Sequence, residues 1–344
     1  MLNKLYTIDI LLTSEKKPIL IEINGVHSGI FDTLANIYTT DEGRKYEKEC
    51  SRVFSQILQS GIEVSKAELV GCNTSPEVYF CQWLSRNVSY SSVPVIFFPS
   101  FPKELSKSIG IVFGIKQHYK EVSHLDPSII VNTKEIEETT VNKGLVCALM
   151  HLIGWGDYIP RTVVVHNQSN RNTVKRFIDE HTSEIIIKKP LTGSHQRGIS
   201  LFHREEFPIS EQMSERGYVL QDYVVSDITE EDNHNYLSQA RVFYFNGVQY
   251  IYWKRSNKEY AEGSLDFNSL VLGASTGNVI FYREKEDTEI VTNFVETIIP
   301  KLEDAIVFYE LKDLFNEADI NDDVVPAISY GRRINEFYEV LDIL

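Results

Sequence analysis

The chain has 344 residues, enough for two or three domains with a sizeable core, and its apolar and charged fractions (42% and 24%) are ordinary for a soluble globular protein. Its 34 Lys and Arg against 49 Asp and Glu leave a net charge of -15, which disfavours nonspecific binding to nucleic acid or anionic membranes and points to a small-molecule or peptide partner. Cys50, Cys72, Cys81 and Cys147 lack metal-type spacing, no signal peptide precedes the first strand and no apolar run reaches membrane length, so a cytoplasmic protein with reduced thiols is expected.

In chain order, IDILL and ILIEIN are β-branched runs joined by TSEKKP, a pattern that reads as a hairpin over residues 8–24. A turn centred on Glu15 and Lys16 puts Asp9 opposite Glu22. Opposed side chains on antiparallel strands sit roughly 4.5–5.5 Å apart at Cβ, where like charges repel unless something offsets them. Asn24 shares the face of Glu22, because side chains two apart in a strand point the same way. Asp9, Glu22 and Asn24 are then hard oxygen donors suited to Mg2+ held together with phosphates. Two acids on the wet face of a solvated hairpin is the other reading this stretch allows. His27 and Ser28 follow in GVHSG, either opening a helix whose N–H groups face a carboxylate or making an ordinary turn.

Residues 30–61 carry helical periodicity with Gly61 as a stop, and the apolar runs VPVIFF (93–98) and IGIVFGI (109–115) suggest an α/β segment up to about residue 135. A helix over NKGLVCALMHLIG, a strand in GDYIPRTVVV, a helix near 169–182 and the strand EIIIKKP come next. YVLQDYVV, ARVFYFNG and VQYIYWKR read as further strands, followed by helices from about 287. The fold class is α/β in the broad, mixed sense. The aromatics of YFNGVQYIYW read as alternating sheet packing, not as a base-stacking platform, given the acidic charge.

Within EIIIKKPLTGSHQRGISLF (184–202), a strand ending in lysines leads into a loop with Gly193, Ser194 and Gly198 and then a returning strand. Glycines let such a loop fold its N–H groups over phosphates, and Lys189 would add a point charge. Lys188 is expected on the other side of the strand, solvated, and His195 either touches phosphate or substrate or is an exposed loop residue. A glycine-containing hairpin with two solvated lysines is the alternative.

The runs NTKEIEETTVNKG, YIPRT, IIIKKPLTGSHQRGI, YVLQDYV and ARVFYFNG with YWKR, in that order, resemble the nucleotide-binding half of ATP-grasp ligases. The resemblance is strongest over residues 8–24 and 130–255, and the loop TGSHQRG has fewer glycines than many relatives. It implies that Lys143 and Lys189 bind phosphates, that Gln221, Asp222, Tyr223 and Val224 form the adenine hinge, and that Asp227 is a ribose ligand. Arg241 and Arg255 would hold the substrate carboxylate or the tetrahedral intermediate, with Arg255 assigned to phosphate or intermediate. The family closes on an Asp strand followed by Glu-x-Asn, and here that pattern stands first, at Asp9, Glu22 and Asn24. This is the layout of a circular permutant, similar to eukaryotic-type glutathione synthetases.

The implied organisation is a permuted metal hairpin and helix (1–48), an α/β pre-ATP-grasp-like substrate domain (49–135), a first ATP-grasp subdomain (136–226) and a second with C-terminal helices (227–344). The implied activity is ATP- and Mg2+-dependent joining of a small-molecule carboxylate and an amine, amino acid or peptide, through an acylphosphate, releasing ADP and phosphate. Dimers are common in that family, and neither a nucleic acid nor a membrane is an expected partner. A regulatory nucleotide binder, as in the synapsin branch, and a small-molecule kinase are the alternatives.

Overall fold

The computed structural model describes residues 4–25, 130–132, 134–165, 171–180, 183–191, 198–209, 217–272, 279–281 and 283–309, with short pieces at 44–45, 48, 51–52, 67–70, 95–98 and 112–113. Among these, no helix is long and apolar enough to cross a membrane. The 30–61 helix and the GVHSG turn, with His27 and Ser28, lie largely outside the described residues.

The amino-terminal hairpin is present as β1 (Leu5–Leu12) and β2 (Pro18–Asn24). All eight residues of β1 are buried, so it lies inside a sheet and not on a wet surface. That sheet has six strands in the order β14-β13-β12-β1-β2, with β11 also paired to β12; its later members are β11 (Ile228–Glu231), β12 (His234–Phe245), β13 (Val248–Arg255) and β14 (Val279–Phe281). The first residues of the chain thus share a sheet with strands more than two hundred residues later.

The turn differs from the predicted one. Thr13 N–H donates to the Lys17 carbonyl at 3.0 Å and Lys16 N–H to the Thr13 carbonyl at 2.9 Å, so Thr13 faces Lys17 and the predicted centre on Glu15 and Lys16 does not hold. The cause is Lys16, whose φ of 61° is left-handed and inserts a bulge residue. Asp9 and Glu22 nonetheless come to one place, since both act on Lys189 and on Lys254.

The chain divides into two compact units. Unit 1 comprises Met1–Ile8, Asn24–Glu137 and Val242–Tyr252. Its described strands include β3 (Ala67–Val70) parallel to β4 (Val95–Phe98), and β5 (Val112–Phe113) parallel to β6 (Ile130–Val131). Asn132 pins the start of β1 there, accepting from Leu5 N–H at 2.8 Å and donating to its carbonyl at 2.7 Å.

Unit 2 comprises Asp9–Ile23, Glu138–Arg241 and Trp253–Leu344. It contains an antiparallel sheet ordered β7-β10-β8-β9, from β7 (Thr162–Val165), β8 (Ile185–Pro190), β9 (Ser200–His203) and β10 (Tyr218–Asp222). Helix α1 (Lys134–Val141) precedes α2 (Lys143–Leu152) in the chain, and α3 (Arg171–Asp179) follows β7. On one face of the sheet Val163, Val165, Ile186, Tyr218 and Leu220 pack with Val174, Phe177 and Ile178 of α3. The registers Lys189↔Val219, Ile187↔Gln221 and Gln221↔Thr162 assign Lys189, Gln221 and Thr162 to the opposite face. α2 starts under an Asn142 cap, whose side chain accepts from Leu145 N–H at 3.1 Å, and stops at Gly154, whose φ of 78° lets its N–H reach the His151 carbonyl at 3.0 Å. The short helix α4 (Phe267–Leu270) and the long α5 (Lys285–Phe308) follow later in the chain.

Candidate functional site

The site grows from the end of β8. Ile185, Ile186 and Ile187 are buried on both faces of the sheet, which forces the two following lysines to opposite sides. Lys188 sits over the Tyr218 ring, 4.4 Å from its centroid, so it is packed against an aromatic face and not solvated as predicted. Lys189 goes to the other face and is 8% exposed. Lys143 is brought beside it because its N–H donates to the Leu191 carbonyl at 3.0 Å, tying the start of α2 to the residue after β8. The Lys143 ammonium lies 3.1 Å from Glu22 Oε1, so β2 meets this corner.

β1 contributes Asp9, only 3% exposed. Arg241 of β12 grips it in a two-bond fork, Nε to Oδ1 and Nη2 to Oδ2, both at 2.6 Å. Lys254 of β13 approaches Asp9 Oδ1 at 3.5 Å and the Leu272 carbonyl at 3.4 Å. Burial opposes ionisation of Asp9, but Arg241 and Lys254 outweigh it and hold the carboxyl down at about 2.

The lysines show the reverse. Burial, with the like charge of Lys143, brings Lys189 down to about 8 although Glu22, Cys147 and Asp9 pull upward. Burial, with Arg241, brings Lys254 down to about 8 against Asp9 and Glu22. Both lysines thus respond to the same two carboxylates. Among the described residues, Lys143, Lys189, Arg241 and Lys254 gather around Asp9 and Glu22, a concentration of cations in an otherwise acidic protein.

The oxygen set can be tested for Mg2+. Among the described residues no three His, Cys, Asp or Glu side chains gather as a metal site, but Mg2+ is usually bound by only one or two carboxylates together with phosphates. A carboxylate offers about four lone-pair positions. Asp9 has given three to Arg241 and Lys254, whereas Glu22 takes one contact, from Lys143. The donors fit, with Glu22 the more available oxygen source. Asn24 closes β2 two residues further on, buried.

The remaining predicted residues distribute as follows. Gly193, Ser194 and His195 lie outside the described residues, and Gly198 has a φ of 77°, a left-handed turn that favours glycine. Gln221 lies near the end of β10 on the Lys189 face, its amide donating to Thr162 Oγ1 at 2.9 Å and Cys147 Sγ at 3.6 Å, while Thr162 donates to the Pro160 carbonyl at 2.7 Å. Asp222 and Tyr223 donate their N–H groups to the Arg161 and Ile185 carbonyls at 3.0 Å each. The Tyr223 hydroxyl donates to the Leu270 carbonyl at 2.8 Å, and burial, helped by Tyr260, pushes its ionisation far up. Val224 follows in the connector to β11, half-buried.

Two further predicted residues have protein partners of their own. The Asp227 carboxylate, expected on a ribose, accepts from Lys16 at 2.7 Å and from Arg283. Arg255 pairs with Glu231, donates to the Ser256 carbonyl at 2.9 Å and stacks 4.0 Å over the Tyr236 ring, on the β11–β12 hairpin and not beside Asp9. Its neighbour Lys254 occupies that place, since adjacent strand residues point to opposite faces. Sequence reasoning missed Lys254, Thr162 and Cys147. Alternation in VQYIYWKR separates Lys254 from Arg255, but only the sheet neighbour tells which one faces Asp9. The Cys147 thiol is buried, which pushes it up, with Thr162, Lys189 and Gln221 working the other way.

No family model matches the sequence, and no curated protein matches it. Among solved structures it is similar to D-cycloserine synthetase DcsG, at 12% identity and a TM-score of 0.46, covering 72% of this chain and 82% of that one. A glutathione synthetase-like effector from Globodera pallida in its apo form matches at 8% identity and a TM-score of 0.42, covering 74% and 73%. D-alanyl-alanine synthetase A from Vibrio cholerae matches at 14% identity and a TM-score of 0.39, covering 73% and 82%. At these scores the likeness is one of partial layout, and the function is read from the chain's own residues.

Proposed function

We propose that the protein is an ATP-dependent carboxylate–amine ligase of the ATP-grasp type, forming an amide or peptide bond and releasing ADP and phosphate. The observation that carries this reading is the cluster of Lys143, Lys189, Arg241 and Lys254 around Asp9 and Glu22. The seating of β1 and β2 in a sheet with β12 and β13 supports the permuted layout.

In this reading Lys143 and Lys189 bind triphosphate oxygens, and the Gln221–Val224 segment flanks the base. Arg241, held rigid by its fork on Asp9, and Lys254 stabilise charge that develops on the transferred phosphoryl group. Mg2+, held by Glu22, Asp9 and Asn24, would supply further neutralisation of phosphate charge. A substrate carboxylate oxygen attacks the γ-phosphorus, the bond to the ADP oxygen breaks, and a mixed anhydride forms. The amine nitrogen then attacks the acyl carbon, phosphate leaves with the electron pair of the C–O bond, and the amine proton goes to solvent. Positioning and electrostatics do most of this, so no serine or cysteine nucleophile is required.

The test is ADP release from ATP and Mg2+ over pairs of amino acids and short peptides. Release that needs both a carboxylate and an amine is expected. Release with an alcohol alone identifies a kinase, and nucleotide binding without turnover on any pair identifies a regulatory binder. Failure to bind any nucleoside triphosphate overturns the reading altogether.

A further inference from the structure

The residue at the tip of the first hairpin breaks a local rule. Lys16 has a φ of 61°, a left-handed conformation that glycine or asparagine adopts at lower cost than a long side chain. Nothing in the turn itself favours lysine there. Its ammonium, however, reaches Asp227 at 2.7 Å and Asp287 at 3.1 Å, residues far away in the chain. Local rules are broken where a side chain gains something else.

Those two carboxylates are also the partners of Arg283, whose Nε donates to Asp287 at 2.5 Å and whose Nη groups bond Asp227 and Ser238. The Arg283 guanidinium is capped by the Trp253 ring, 4.7 Å away, and Trp253 in turn donates to Thr288 at 3.2 Å. Arg283 and Asp287 are nearly enclosed, at 9% and 6% side-chain exposure, while Lys16 at 45% is the open member. A backbone bond reinforces the arrangement, since Asp227 N–H donates to the Leu12 carbonyl at 2.6 Å. Among the described residues two acids face two bases in this group.

The group ties three pieces together. Lys16 belongs to the turn between the strands that carry Asp9 and Glu22; Asp227 ends the connector that begins with Tyr223; Asp287 is in the first turn of α5. We propose that Lys16, through the ion group it forms with Asp227, Arg283 and Asp287, is a positioning residue that holds the acid-bearing hairpin against the connector after β10. This rests on the nucleotide-site reading above, since what it positions is Asp9 and Glu22 relative to the 221–224 segment. The left-handed backbone of Lys16 is the cost of placing a cation there.

The test uses the full chain with Lys16→Gly and Lys16→Arg. Glycine suits the left-handed turn, so a purely local role makes Lys16→Gly neutral or stabilising. The positioning role instead makes it weaken ATP binding by about tenfold, with Lys16→Arg recovering most of that loss. Calorimetric titration with ATP and Mg2+ reads this, and thermal unfolding is measured alongside. Amide exchange in the ligand-free protein gives a readout independent of nucleotide. Lys16→Gly is expected to speed exchange in segments 9–12 and 223–227 together. If wild type fails to bind ATP, the nucleotide reading fails, while coupled exchange still supports the clasp. If Lys16→Gly binds ATP as wild type does, or leaves exchange in both segments unchanged, the positioning proposal is overturned.

Discussion

Replacing Asp9 with Asn removes the carboxylate that Arg241 and Lys254 share while keeping its shape. The folded protein lowers the Asp9 carboxyl from 3.8 to about 2, which corresponds to about 2 kcal/mol of stability at neutral pH. Leaving a buried cation without its partner typically costs about 3–5 kcal/mol. A loss of roughly 2–5 kcal/mol is therefore expected, read as a lower urea midpoint at pH 7. Because the folded value is depressed, this contribution is full above 3.8 and disappears as pH falls through about 2, so the gap between Asp9→Asn and wild type narrows in acid. Removing an anion also makes the surroundings of the cations more positive by one charge. Tripolyphosphate titrated in excess EDTA should then bind the variant at least as tightly as wild type, although Mg2+-dependent turnover falls. Equal stability of the two proteins at pH 7, or metal-free binding that is lost with Asp9, would refute the assignment of Asp9 as the buried counter-ion of these cations.

Lys189→Met should weaken tripolyphosphate binding by about ten- to a hundredfold, the worth of one charged hydrogen bond, with calorimetry as the check. Glu22→Gln should leave metal-free tripolyphosphate binding in place but abolish the gain on adding Mg2+, measured by titration with and without EDTA; a full Mg2+ gain in the variant would remove Glu22 from the metal set. Raising pH should act on binding and stability in opposite senses. Lys189 and Lys254 lose protons near 8, so anion affinity should fall above that value. The unfolded chain, with lysines near 10.5, holds more protons between about 8 and 10.5, so ligand-free stability gains from these two groups as pH rises through that window.

Much of the layout is legible in the sequence because its signals are local. The β-branched runs at 8–24, the Ile run before Lys189, the capped start of α2 at Asn142 and the strand YVLQD are each specified by a few neighbouring residues. What fails depends on distant partners. Which of Lys254 and Arg255 lies beside Asp9 turns on one residue, and one residue in a strand is the whole difference between two faces. Asp227 finds a partner in Arg283, more than fifty positions later, which no local signal shows. The turn falls elsewhere than predicted because Lys16 stands where local preference asks for glycine, and the reason for a lysine there is Asp227 and Asp287. The hairpin β11–β12 carries a similar left-handed pair, Asp232 and Asn233, but these residue types suit it, so the turn follows local rules.

The central claim is that Lys143, Lys189, Arg241 and Lys254 form a receptor for the phosphates of ATP. The most direct measurement is a crystal structure with a nonhydrolysable ATP analogue and Mg2+. It is expected to show the β- and γ-phosphate oxygens within hydrogen-bonding distance of Lys189 and Lys143, with Glu22 on the metal. Density for the nucleotide elsewhere, with the Lys189 and Lys254 ammonium groups touching only protein, would contradict it.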